Sequence, residues 1–240
     1  QQTVISPEYR KLVGGTSKLF APDLSVSYTG YQVIKFNIDD KAYESASVSY
    51  NSLPIMRYAE VLLNYAEAKA ELGEFSDDIW NKTIKPLRER AGVDGKRPTS
   101  ADPYLQQYYG LSDSDLLEIR RERAIELLLE GFRYNDLMRW HAGELLNKQW
   151  YGIYIPAMDT SYDLNGDGIN DVCVISGEAG NEPGVTYIVL DDSKYSLENG
   201  TTGRLLYTVG RNFEEKRYLR PIPKTALNIN PDLGQNYYWR

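Results

Sequence analysis

The pattern of apolar and polar positions divides the chain into a helical middle and two loop-rich flanks. Residues 1–50 carry few helical signals. Gly14-Gly15 and Gly30 punctuate short runs such as Tyr31–Phe36, which predicts irregular chain with one or two short strands. Pro54 suits the first turn of a helix. Behind it Ala59, Leu62, Leu63, Ala66 and Ala70 recur at helical spacing. Val61, Tyr65, Ala68 and Leu72 make a second stripe, so this helix is expected to pack on two sides and to stop at Gly73. A second helix is predicted over 77–91, capped by Ser76 or Asp77 and kinked or divided by Pro86.

Residues 92–111 are rich in Gly, Pro and Tyr and read as a loop. A long helix is expected over 112–140, with Ser112 and Asp115 as a capping box and Gly131 as a candidate interruption. A shorter helix starts near His141 and ends within Glu144 to Lys148. From Trp150 onward the pattern predicts turns and short extended runs, such as Thr186–Leu190 and Arg204–Val209. Pro221, Pro223 and Pro231 predict an extended, non-helical end. The helix, Leu-Gly-Glu-Phe turn, helix arrangement over 54–91 has the grammar of a tetratricopeptide unit. The fold class expected is mainly α, with tetratricopeptide-like helix pairs, long irregular loops and a few short strands. It forms a single domain over 1–240, with a helical core at about 54–148 and loop-rich flanks at 1–53 and 149–240.

Composition narrows the function classes. The 240 residues are 42% hydrophobic and 25% charged, enough for a sizeable core and against global disorder. No apolar run approaches the roughly 20 residues of a membrane helix. Basic residues number 27 and acidic ones 34, net −7, which argues against a nucleic-acid partner. Cys173 is the only cysteine and excludes an intrachain disulfide; Val172, Val174 and Ile175 around it predict a buried thiol. His141 is the only histidine, so a multi-histidine metal site is excluded and a structural or surface role is expected. No phosphate loop, Gly-x-Ser-x-Gly or dinucleotide fingerprint is present, and no catalytic residue is assigned.

Three clusters carry candidate chemistry. Asp163, Asn165 and Asp167 alternate as oxygen ligands before Gly168. The Ile169 carbonyl and Asp171 would complete a calcium loop, although Val174 stands where such loops carry a bidentate Glu. A structural Ca2+ site and an ion-free Asx-rich turn both remain open on this pattern. Two aromatic groups, Trp150, Tyr151 and Tyr154, then Tyr104, Tyr108 and Tyr109, could stack on sugar rings or cap the helical core. Tyrosine outnumbers phenylalanine 20 to 5, which suits a surface for polar ligands. The stripe Arg123, Glu126, Glu130 and Arg133 is expected to be buried and ion-paired. It should hold the long helix against the 54–72 helix or the Pro-rich tail, and it lacks the opposed carboxylates of a glycosidase.

Four ordered segments carry a resemblance. They are Pro54-Ile55-Met56-Arg57-Tyr58-Ala59-Glu60 running into Tyr65-Ala66-Glu67-Ala68; Leu87-Arg88-Glu89-Arg90-Ala91-Gly92; Arg121-Glu122-Arg123-Ala124 running on to Glu130-Gly131-Phe132-Arg133 and Arg139-Trp140; and Tyr218-Leu219-Arg220-Pro221-Ile222-Pro223 with Asn230-Pro231-Asp232. The chain resembles the C-terminal half of the SusD/RagB family of outer-membrane nutrient-binding lipoproteins of Bacteroidetes. The resemblance implies a helical fold, a glycan or peptide ligand, and a non-catalytic role beside a SusC-like TonB-dependent transporter. It places the full-length protein at the cell surface on the outer membrane through a lipid anchor absent from this chain. Members are about twice this long, and the chain opens on Gln1-Gln2, so a fragment is expected. The motifs are structural, and no binding residue transfers by motif. A helical scaffold that binds only protein and a glycoside-processing enzyme are the alternatives.

Overall fold

The structure, a computed structural model, describes residues 28, 29, 35, 36, 47, 50, 52, 54–164, 166, 168–190 and 194–239. The expected punctuation at Gly14-Gly15 and Gly30, and the start of the 31–36 run, lie outside them. The chain divides into two compact units, Gln1–Pro54 with Gln149–Gly210, and Ile55–Lys148 with Arg211–Arg240. Helices build the second unit and short strands the first.

The helical unit opens with α1, Tyr58–Glu71. Pro54 stays outside it. Ala59, Leu63, Ala66 and Ala70 are buried as the first stripe predicts. The second stripe is a correction: Val61, Tyr65 and Leu72 are exposed, so among the described residues α1 packs on one side only. Gly73 follows in the left-handed region (φ +67°) and donates to the Ala70 carbonyl, which ends the helix. Next come α2, Asp77–Lys82, and α3, Ile84–Arg90, parted at Thr83. The cause is Pro86, whose ring clashes with the carbonyl four residues back, at Lys82, and which has no N–H to donate. Ser76 caps α2 by accepting from Ile79 N.

The expected 92–111 loop holds a helix, α4, Pro103–Tyr109. Asp102 caps it by accepting from Tyr104 N, Pro103 occupies the first turn, and left-handed Gly110 stops it. The long helix is two: α5, Ser114–Glu126, capped by Asp113 rather than Ser112, and α6, Phe132–Arg139. Leu129 (φ +63°) and Gly131 (φ +83°) turn the backbone between them. A 3-10 turn over Gly143–Asn147 follows. Ala59, Leu63, Trp80, Ile84, Leu87, Ile119 and Leu127 close one core of α1, α2, α3, α5 and the residue after α5. The tail is not wholly extended either: a 3-10 turn at Glu215–Tyr218 and a helix, α7, Lys224–Ile229, interrupt it. Pro223 immediately precedes α7, at the end of a helix where its missing N–H costs nothing.

Ion pairs tie these helices, with partners the sequence did not indicate. Arg57 reaches Glu126 at 2.7 Å and Glu130 at 2.5 Å, and Arg90 also meets Glu126 at 2.5 Å. Arg123 pairs with Asp136 at 2.7 Å and donates to Asn64 Oδ1 of α1 at 2.7 Å. Arg133 departs from the expectation: it makes no ion pair among the described residues and donates to the Tyr109 hydroxyl at 3.0 Å. His141 is exposed, stacked on Tyr218 at 4.1 Å, with Nε2 3.1 Å from Glu215.

The strand unit holds two sheets. In one, β1 (Trp150–Ile155), β6 (Gly203–Tyr207) and β5 (Tyr195–Leu197) lie antiparallel in the order β1-β6-β5. In the other, β2 (Ser161–Tyr162) pairs antiparallel with β3 (Val172–Ile175), which runs parallel to β4 (Thr186–Val189). Every residue of β3 is buried, Cys173 included. Ile155, Val172, Val174, Ile188, Leu197 and Leu205 form the core, drawn from both sheets. The flank read as loop-rich therefore carries its own core. Its strands are three to six residues long apart from the two-residue β2, too short for periodicity to reveal.

Candidate functional site

A cleft of about 270 Å³ opens on the β1-β6-β5 sheet, lined by Tyr28, Thr29, Trp150, Tyr151, Gly152, Tyr195, Leu205 and Tyr207. Strand register builds it. Trp150 lies opposite Tyr207, and Tyr207 opposite Tyr195, so three aromatic residues from three strands stand in one row. The Trp150 and Tyr207 rings are stacked at 6.1 Å, and Tyr207 and Tyr195 are tilted at 6.2 Å. Tyr28 extends the row, its ring 4.6 Å from that of Tyr195. The Tyr28 and Tyr195 hydroxyls hydrogen-bond at 2.6 Å. That bond, helped by burial, pushes the Tyr28 pKa up to about 12, so the phenol stays neutral at physiological pH.

Of the three residues singled out at this end of the chain, two line the cleft. Trp150 is 56% exposed. Tyr151 carries the Arg204 guanidinium 3.7 Å from its ring centre, and Glu198 holds Arg204 at 2.6 Å. Tyr154 is exposed but lies beyond the irregularity in β1 between Tyr151 and Tyr154, and does not line the cleft. Tyr28, Tyr195 and Tyr207 were not singled out. Each belongs to a different segment: strand pairing brings Tyr195 and Tyr207 together, and the Ile153 N bond to the Tyr28 carbonyl adds Tyr28.

Gly152 permits the close approach of the Tyr28 backbone. A Cβ there would sit 2.5 Å from the Tyr28 carbonyl oxygen, which now accepts from Ile153 N at 2.9 Å. Gly152→Ala is expected to displace Tyr28, break that bond and cost about 1–3 kcal/mol by overpacking. Denaturant unfolding checks this, and an unchanged curve would show that Tyr28 is not held against β1.

The second aromatic group lies in the helical unit. Tyr104, Tyr108 and Tyr109 share α4, and Tyr109 meets Trp140 edge-on at 6.1 Å. A wider cleft of about 830 Å³ in the same unit is lined largely by charged groups, among which Arg97 pairs with Asp115 at 2.7 Å and with Asp77 at 2.6 Å. Its Trp80 is 2% exposed and presents no face to a ligand.

In the Asp-rich loop, Asn165 and Asp167 lie outside the described residues. Asp163 accepts from Gly166 N at 2.6 Å and Gly168 N at 2.7 Å, and Asp171 accepts from Leu164 N at 2.8 Å. Gly166 and Gly168 are both left-handed, as the tight turn requires. Ile169 is exposed beside them. Among the described residues no group of three His, Cys, Asp or Glu side chains could hold a metal ion, and no helix is long and apolar enough to cross a membrane.

The chemistry available in the aromatic cleft is therefore stacking and hydroxyl hydrogen bonding. Among the described residues no carboxylate, imidazole or thiol lines it. The chain is 33% identical over 97 residues to a curated SusD-like protein of Formosa agariphila, a stretch that is 40% of this chain and 18% of that relative. The crystal structure of a SusD-like protein from Bacteroides fragilis NCTC 9343 matches 88% of this chain with a TM-score of 0.51 at 23% identity, a likeness of fold, and this chain spans 31% of that one. The family model for SusD matches residues 6–239, nearly the full sequence, and the chain belongs to the SusD family.

Proposed function

We propose that this chain forms part of a non-catalytic nutrient-binding protein that captures oligosaccharide at the cell surface and delivers it to a SusC-like TonB-dependent transporter. The observation that carries the reading is the row Trp150, Tyr207, Tyr195 and Tyr28, four rings side by side along a small cleft. Pyranose rings present C–H faces that pack on such surfaces. The reading includes an outer-membrane lipoprotein location and a tetratricopeptide-type unit made by α1 with α2 and α3.

A glycan screen followed by calorimetry tests it. Affinity for a bound neutral oligosaccharide should lie at about micromolar to millimolar Kd, because a shallow stacking surface offsets little of the cost of association. Trp150→Ala with Tyr207→Ala should weaken it by at least about tenfold, or 1.4 kcal/mol. Trp150→Ala with Tyr154→Ala should do no more than Trp150→Ala alone, since Tyr154 lies off the row. Binding should be insensitive to salt. Intact affinity in the Trp150/Tyr207 variant would place the site elsewhere.

Calcium at Asp163, Asn165, Asp167, the Ile169 carbonyl and Asp171 belongs to the same proposal, as a structural ion fixing the loop. Added Ca2+ should raise the melting temperature, and chelator should lower it. A melting curve indifferent to both leaves the loop as an Asx turn.

A further inference from the structure

In the helical unit a second run of rings goes from Tyr104 through Tyr108 and Tyr109 to Trp140. Tyr104 and Tyr108 are stacked at 5.9 Å, Tyr108 and Tyr109 meet edge-on at 5.0 Å, and Tyr109 and Trp140 edge-on at 6.1 Å. Four cations lie against these rings. Lys148 Nζ is 4.1 Å from the Tyr108 centre. Arg120 is 4.7 Å from Trp140 and 5.5 Å from Tyr109. Arg133 is 5.8 Å from Tyr109 and 6.0 Å from Trp140, and Arg139 is 4.9 Å from Trp140.

Arg139 is neutralised by Glu67 and Asp136. The other three are not. Among the described residues Arg120, Arg133 and Lys148 make no ion pair, although the chain carries net −7 and the buried Arg88 and Arg123 are both held by carboxylates. Arg133 donates to the Tyr109 hydroxyl, and Lys148 donates to the Tyr108 carbonyl. The Arg120 guanidinium has neither hydrogen bond nor ion pair among the described residues, and its Nε is buried without a partner while the residue is 9% exposed. Burial pulls the Arg120 pKa down, and the fields of Glu67 and Glu71 do not restore it. Ring faces repay only part of the cost of desolvating a guanidinium. A guanidinium stacked on a ring also keeps its in-plane donors available for a carboxylate or sulfate.

We propose that the Tyr104–Trp140 run is an oligosaccharide surface selective for sugars that bear an oxyanion, with Arg133 and Lys148 as its direct partners and Arg120 as an uncompensated charge beside them. The inference rests on the glycan-binding reading above and names the ligand class. Tyr104, largely exposed, and Tyr108 stack on the sugar. Arg133 is half-buried and Lys148 exposed, so a ligand reaches both. A carboxylate and a sulfate are the two sources of the oxyanion.

The test uses matched pairs on one backbone: oligogalacturonate against its methyl ester, and sulfated dextran oligomers against plain dextran. Calorimetry on the whole chain should show the charged member of at least one pair binding about tenfold tighter, with an affinity that falls as salt rises. The pair that responds identifies the oxyanion. Arg133→Gln with Lys148→Gln should abolish the preference at an unchanged melting temperature. Glu71→Gln should strengthen charged binding; if Glu71 instead partners Arg120 internally, that variant melts lower and binds no better, which counts against the proposal. Equal binding within both pairs, or a preference that survives Arg133→Gln/Lys148→Gln, overturns the inference. Neutral binding lost with Trp150 and Tyr207 would then leave the broader reading standing. Failure of every oligosaccharide to bind would sink both.

Discussion

Replacing Arg88 by Ala should cost about 3–5 kcal/mol and lower the melting temperature of the helical unit by on the order of 10 °C. Arg88 projects from α3 between two carboxylates of α5, with Nη2 at 2.5 Å from Glu118 and Nε at 2.7 Å from Glu122. All three side chains are at most 9% exposed. Burial alone would lower the Arg88 pKa, but the hydrogen bonds from Glu122 and Glu118 outweigh it and raise it. Without the guanidinium, two neighbouring buried carboxylates face each other; among the described residues only Glu118 keeps a second partner, Arg121. Adding Glu118→Gln and Glu122→Gln to the variant should recover stability at neutral pH. Coincident melts at neutral pH would remove the cluster's structural role.

Trp80→Ala should be comparably severe, at about 3–5 kcal/mol. The indole is 2% exposed at the centre of the α1, α2, α3 and α5 core, and Nε1 donates to the Gly95 carbonyl at 2.8 Å. Arg88 lies over its ring at 5.0 Å, so this change and Arg88→Ala share a partner and should not add. Trp80→Phe keeps most of the packing but strands the Gly95 carbonyl, and should cost about 1–3 kcal/mol. Chemical denaturation followed by circular dichroism ranks the three proteins. A cost for Trp80→Ala below that for Trp80→Phe would show that the cavity had collapsed and that packing is not what Trp80 supplies.

The sequence by itself determined the first three helices of the helical unit, α1, α2 and α3. Its signals are local: a repeating apolar stripe in α1, Gly73 to stop it, Ser76 to cap α2, Pro86 to part α2 from α3. Each acts within four residues of backbone, so each is readable without knowing the neighbours. The same locality explains the errors. Val61, Tyr65 and Leu72 form an apolar stripe whatever lies against it, and periodicity records the stripe rather than the contact. The Asp102-Pro103 start of α4 and the left-handed Leu129 are local too, but they were outweighed by a composition that reads as loop and by an unbroken run of good helix formers.

Tertiary structure decided everything that makes a site. Trp150 and Tyr151 could be singled out as aromatic residues near a helix end, yet Tyr154 shares that description and lies off the cleft. Tyr207 and Tyr195 join Trp150 because β6 pairs with both β1 and β5, Tyr28 joins through its carbonyl on Ile153 N, and register in strands of three to six residues is a long-range property. Charges follow the same rule. The stripe over Arg123, Glu126, Glu130 and Arg133 announced ion pairing, but the partners Arg57, Arg90 and Asp136 come from other turns and other helices. A charge in sequence has no sign of its partner until packing brings one within about 4 Å. For Arg120 packing brought two aromatic rings and, among the described residues, no paired carboxylate, and that is the feature no spacing along the chain could have shown.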